Sequence, residues 1–128
     1  MGNAIGDGVW PVMITPYTED NHIDYDGVSR LLEWYSKQGV TGVFAVCQSS
    51  EMFKLDKAER IALAKFVVDN APHHLGVVAS GHVEPDFEAQ VSEAQQFIDL
   101  GVDAYVFVSG LLAQEDEVVL LFYTLPPS

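Results

Sequence analysis

The sequence predicts an α/β domain on a parallel sheet, and it favours a (β/α)8 TIM barrel over a doubly wound sheet. Three observations carry this. Short apolar runs alternate with amphipathic ones, and the short runs lack the every-other-residue polarity of a half-exposed strand, as strands buried on both faces do. The stretch QGVTGVFAV (Gln38–Val46) returns in pattern as LGVDAYVFV (Leu100–Val108), 62 residues later. That interval is two units of about 31 residues, the size of a βαβ repeat. Finally, the first strand runs into TPYTEDNHID, with neither the glycine-rich turn of a dinucleotide-binding sheet nor a phosphate-loop pattern.

Each element follows from local signals. GVWPVMI (Gly8–Ile14) reads as the first strand, closed by Thr15-Pro16. Asp24 caps a helix to Gln38 that keeps Val28, Leu31, Leu32 and Tyr35 on one face, and Gly39 stops it. Gly42–Cys47 is the second strand. The Asp-x-x-Glu of Asp56–Glu59 resembles a capping box and opens a helix to Asn70, striped by Ile61, Ala64, Val67 and Val68. His74–Ser80 is a third strand. Pro85 sits at the expected first position of a third helix reaching about Leu100, with Phe87, Val91, Ala94 and Ile98 inward. Asp103–Gly110 and Glu117–Pro126 read as strands four and five.

Length bounds the chain to a single domain, residues 1–128, read as the N-terminal part of the barrel with roughly its first five strands. GLLAQED alone joins strands four and five, too short for a parallel crossover. Either strand five is antiparallel, or about 20 residues are missing near 109–117 by comparison with the earlier units; the latter is expected.

Composition excludes several functions. The 128 residues carry 19 acids against 6 bases, a formal charge of −13, which repels nucleic acid and anionic membranes. No apolar run approaches the roughly 20 residues of a membrane span, and MGNAIGDG has neither a basic nor an apolar signal region. The single Cys47 suits a reducing compartment. A cytoplasmic location is expected.

In a barrel the site gathers where strands end at their C-terminal face. The candidates are therefore Thr15, Cys47 to Glu51, Ser80 to His82, Ser109 and Tyr123. CQSSE (Cys47–Glu51) places hydroxyls and an amide at a strand mouth, where neutral donors can bind an anion that the global field opposes. Turn-forming and helix-capping roles compete for Ser49 and Ser50, loop orientation for Glu51, and core packing for Cys47 and Tyr123. His73-His74 has no carboxylate at ligand spacing, so no metal is expected.

Three stretches resemble the dihydrodipicolinate synthase/N-acetylneuraminate lyase family of pyruvate-dependent class I aldolases. They are residues 8–44 with ITPYTEDNHID, CQSSEMFKLDKAER against the family's Gly-(Ser/Thr)-Thr-Gly-Glu…Leu…Glu-Arg, and LLFYTLP against its Leu-Tyr-Asn-x-Pro. The resemblance implies a (β/α)8 barrel that forms a Schiff base with pyruvate or a related 2-keto acid, takes an aldehyde partner and assembles as a homo-oligomer, a tetramer in the family. It implies no cofactor. The family's carboxylate-binding hydroxyl pair falls on Gln48 and Ser49, with Ser50 beside them, and its proton-relay tyrosine falls on Tyr123. The family's lysine lies on a sixth strand, beyond residue 128, and Lys37, Lys54, Lys57 and Lys65 sit on helices or their approaches. Cys47 and Ser50 stand where the motif has glycines. A catalytically inactive homologue and a small-metabolite-binding domain are the alternative readings.

Overall fold

A computed structural model describes residues 5–47, 50–80 and 86–107. Three helices and three strands alternate: α1 (Tyr25–Ser36), β1 (Gly42–Phe44), α2 (Lys57–Asn70), β2 (Gly76–Ala79), α3 (Phe87–Leu100) and β3 (Ala104–Tyr105), with a 3-10 turn (Met52–Lys54) between β1 and α2. The strands are parallel and lie in chain order, β1-β2-β3, with Gly42 opposite Gly76 and Val78 opposite Ala104. Helix α2 packs on both α1 and α3, so the helices form a layer in the same order as the strands. A sheet wound in one direction, with right-handed crossovers, puts its helices on one face. That is barrel-type winding; among the described residues the sheet is open.

The expected first strand forms only in part. Val12 bridges Phe44 in parallel, with Met13 N–H donating to Phe44 O (2.9 Å) and Phe44 N–H to Pro11 O (2.9 Å). Continuing that ladder toward Gly42 requires an N–H at position 11, and Pro11 has none. The fourth strand is seen over Ala104–Tyr105, and Val106 N–H still reaches Ala79 O (2.9 Å). Strand five, the expected break at 109–117 and Tyr123 lie outside the described residues.

The helix signals hold well. Asp24 accepts from Gly27 N–H (3.1 Å), and Gly39 takes a φ of +75° just past α1. The capping box of α2 is reciprocal: Asp56 accepts from Glu59 N–H (2.8 Å) and Glu59 from Asp56 N–H (3.1 Å). Helix α3 is capped by Asp86, which accepts from Ala89 N–H (3.1 Å), so it starts at Phe87, after the expected Pro85. Its inner face is also rotated from the expected one. Gln90, Glu93, Ala94 and Phe97 are buried, whereas Phe87 is 47% exposed and Val91 and Ile98 are similarly open. The two faces differ by roughly a quarter turn.

The cause is a buried ion pair. Arg60 of α2 meets Glu93 two-pronged, Nε to Oε1 and Nη2 to Oε2 at 3.2 Å each, and Arg60 Nη1 donates to Leu55 O at 2.8 Å. With its charge matched and hydrogen-bonded, Glu93 occupies the helix interface. One turn on, Phe97 packs its ring against Tyr105 of β3, with centroids 5.3 Å apart.

The sheet therefore has two unlike faces. Val43, Ala45, Val77 and Ala79 join the helices in the main core. Alternation sends Phe44 and Val78 to the other side, together with Val12 and Ile14, the latter 60% exposed. Trp10 floors this second face at the N-terminal ends of β1 and β2: a Cβ on Gly42 would lie 2.1 Å from its ring, and one on Gly76 2.5 Å. Only glycine admits the indole there.

Candidate active site

The C-terminal edge of the sheet gathers three buried hydroxyl residues, Thr15, Ser50 and Ser80, one from each of three neighbouring segments. After β1 the chain tightens: Ser50 N–H (3.1 Å) and Met52 N–H (3.2 Å) both donate to Cys47 O. Thr15 Oγ1 donates to Ser50 O at 2.7 Å, tying the first segment to this turn. Ser50 Oγ lies against the carbonyls of Met13 and Ala45 and is 3.3 Å from Cys47 Sγ. A hydroxyl has one proton and two lone pairs, so these contacts occupy its donor. The Ser50 hydroxyl thus binds backbone and braces the turn. Gln48 and Ser49 lie outside the described residues, as do His82 and Ser109.

Ser80 ends β2 next to this turn, with its N–H donating to Val46 O at 2.6 Å. Its side-chain oxygen is buried and has no hydrogen-bond partner among the described residues. Cys47 is buried and free, with Ser50 as its side-chain neighbour, in line with a small packing residue.

Glu51 takes φ +62°, a left-handed conformation uncommon outside glycine, and pairs with Lys54 at 2.9 Å. The hydrogen bond and charge of Glu51 raise the Lys54 ammonium above its ordinary range. Glu51 thus braces the 3-10 turn. Beside it opens a cavity of about 320 Å³ lined by Tyr17, Asn21, Glu51, Lys54, Leu55 and Glu59. The Tyr17 hydroxyl is buried without a hydrogen-bond partner among the described residues. Burial raises its pKa, the Glu51 and Glu59 carboxylates add to the shift, and Lys54 opposes it. Tyr17 was no candidate in the sequence; its only signal was an aromatic directly after Thr15-Pro16.

The four lysines lie away from the strand ends. Lys37 caps α1 and pairs with Glu33, Lys54 sits in the 3-10 turn, Lys57 opens α2, and Lys65 on α2 pairs with Asp69. Among the described residues no three His, Cys, Asp or Glu side chains cluster as metal ligands, and no helix is long and apolar enough to cross a membrane.

Residues 6–116 match the model of the dihydrodipicolinate synthetase family. The 4-hydroxy-tetrahydrodipicolinate synthase of Cellvibrio japonicus is 31% identical over 102 residues, 80% of this chain and 35% of that protein. The crystal structure of dihydrodipicolinate synthase from Rhodopseudomonas palustris superposes with a TM-score of 0.78 at 25% identity, over 92% of this chain and 38% of that one. YagE of Escherichia coli K12, solved in complex with pyruvate, superposes with a TM-score of 0.75 at 22% identity, over 89% of this chain and 39% of that one. The chain thus spans little more than a third of the length of these relatives. Matched by the family model over most of its own length, the chain belongs to the dihydrodipicolinate synthetase family.

Proposed function

We propose that the protein is a Schiff-base-forming lyase of the aldolase type, acting on pyruvate or a related 2-keto acid and an aldehyde. The observation that carries the reading is the family match over residues 6–116 in a chain whose strand ends gather hydroxyl residues at one edge. Relatives named as synthases, and a pyruvate complex of one similar fold, support it.

In this mechanism a lysine amine, supplied from outside these 128 residues, attacks the keto carbon, and water leaves as the imine forms. The protonated imine draws electrons from the adjacent C–H bond, and the resulting enamine carbon adds to the aldehyde carbonyl. Gln48, Ser49 and backbone N–H groups hold the carboxylate, and Tyr123 passes protons at the imine and the aldol oxygen. Ser50, whose hydroxyl also binds the carbonyls of Met13 and Ala45, belongs to the same proposed carboxylate site. The imine is the electron sink, so the chemistry needs no metal or organic cofactor. The complete (β/α)8 barrel, homo-oligomeric assembly and cytoplasmic location belong to the same proposal.

A catalytically inactive homologue is the second reading, favoured by Cys47 and Ser50 standing in place of the motif's glycines. Borohydride reduction with pyruvate separates the two, using all the chain that the gene encodes. An active lysine traps an adduct of pyruvate mass on one peptide; an unmodified protein rules out the lyase. Ser49→Ala should weaken pyruvate binding about tenfold with little change in melting temperature. Unaltered binding with earlier melting would make Ser49 a turn residue.

A further inference from the structure

Three hydroxyl side chains are buried at the C-terminal edge, and two have evident work: Thr15 binds Ser50 O, and Ser50 binds the carbonyls of Met13 and Ala45. Ser80 does not. It is 1% exposed, and its Oγ has no hydrogen-bond partner among the described residues. Buried hydroxyls are paired in the great majority of cases, because an unmade hydrogen bond carries the full desolvation cost. An unpaired one at a strand end therefore points to a partner beyond the described residues, and a bound ligand is one that a strand end can supply.

Its placement narrows that partner. Val77 and Ala79 pack into the helix-side core, so alternation carries Ser80 with Val78 to the helix-free face. Its N–H donates to Val46 O, which sets it beside β1, one residue before Cys47 and two before Gln48. No lysine or arginine stands at a described strand end, so an anion bound here depends on neutral donors. A serine hydroxyl can donate to a carboxylate oxygen without the desolvation cost of a buried ammonium.

We infer that Ser80 is a substrate-binding residue whose hydroxyl donates to the carboxylate of the small acid held at the strand ends. This rests on the functional reading above and adds to it a donor from the neighbouring strand. A hydrogen bond reserved for the ligand also leaves the empty protein with an unsatisfied group, a trade of stability for binding.

The test is an NMR titration of the gene-encoded protein with pyruvate and with pyruvamide, which lacks the carboxylate charge, alongside melting curves. Ser80→Ala should weaken pyruvate binding about tenfold, change pyruvamide binding much less, and leave melting unchanged or raised. Ser80→Cys, close in volume but a poor donor, should behave the same way, which covers a poorly folding alanine variant. Pyruvate bound equally by wild type and both variants overturns the role of Ser80 while the functional reading stands. Equal binding with earlier melting makes Ser80 a packing residue and also overturns it. A wild type that fails to bind pyruvate removes both the functional reading and this inference.

Discussion

The two faces of the sheet solve different problems. On the helix side every position is filled, and even the charged pair Arg60–Glu93 is sealed between α2 and α3. On the other side one large ring, Trp10, lies over two glycines, and Val12 and Ile14 remain open. The first face holds the fold together through mutual contacts. The second is a shaped surface whose upper rim carries the hydroxyl cluster. The two faces thus differ in how they are packed, and substitutions on each should fail in different ways.

The largest effect is expected on the helix side. Glu93→Ala removes the two-pronged carboxylate contact of the buried Arg60 guanidinium, and should cost about 3–5 kcal/mol in chemical denaturation. Replacing both partners with apolar residues of similar volume should cost far less, because no charge is then stranded. A double variant as unstable as the single one would show that the pair's geometry, and not its charge balance, holds α2 to α3.

A smaller effect is expected at the floor of the open face. Gly42→Ala pushes a methyl group into the Trp10 ring and toward Gly76 O, 2.6 Å from the new Cβ. Forcing a group into an occupied space costs about 1–3 kcal/mol. Indole fluorescence reports the displacement directly, since Trp34, the other tryptophan, is exposed on α1. A variant with native stability and an unshifted spectrum would mean that the floor is loosely packed.

The smallest effect is electrostatic. Burial first, then Glu51 and Glu59, raise the Tyr17 phenol, and burial with Glu59 raises Tyr25. A phenol whose folded pKa exceeds its unfolded value stabilises fully below about pH 10, and that contribution is lost as pH climbs through the folded pKa. Phenolate absorbance should show a fraction of the five tyrosines titrating late, and Tyr17→Phe should remove part of it. Identical titrations for the two proteins would exclude a shifted Tyr17.

Much of this architecture was legible in the residues. Asp24, Asp56 and Gly39 mark helix boundaries because capping is local chemistry, decided within about four residues. The repeat of Gln38–Val46 in Leu100–Val108 exposed the winding, because each unit must bury the same kind of strand. What stayed hidden depends on distant partners. Hydropathy turned Phe87 and Val91 inward on α3, since nothing near Glu93 in sequence announces Arg60, 33 residues away. Pro11 was visible, but its effect on the ladder depends on pairing with Gly42. The backbone bonds of Ser50 were hidden too, because Met13 and Ala45 become its neighbours only once the turn is formed.

The chain-order sheet also bears on how the molecule is made. Val12 meets Phe44, Gly42 meets Gly76, and Val78 meets Ala104, so each of these parallel pairings closes a loop of about 30 residues. Loop-closure entropy grows slowly with length, and a fixed modest span keeps each closure at a similar cost. Among the described strands none has to wait for a distant one, as it would in a sheet that grows from its middle toward both sides. A nascent polypeptide can therefore add each unit to the one before it while the ribosome is still extending the chain. The buried Arg60–Glu93 pair would then form only once the third helix has been synthesised, a late latch on a sheet already begun.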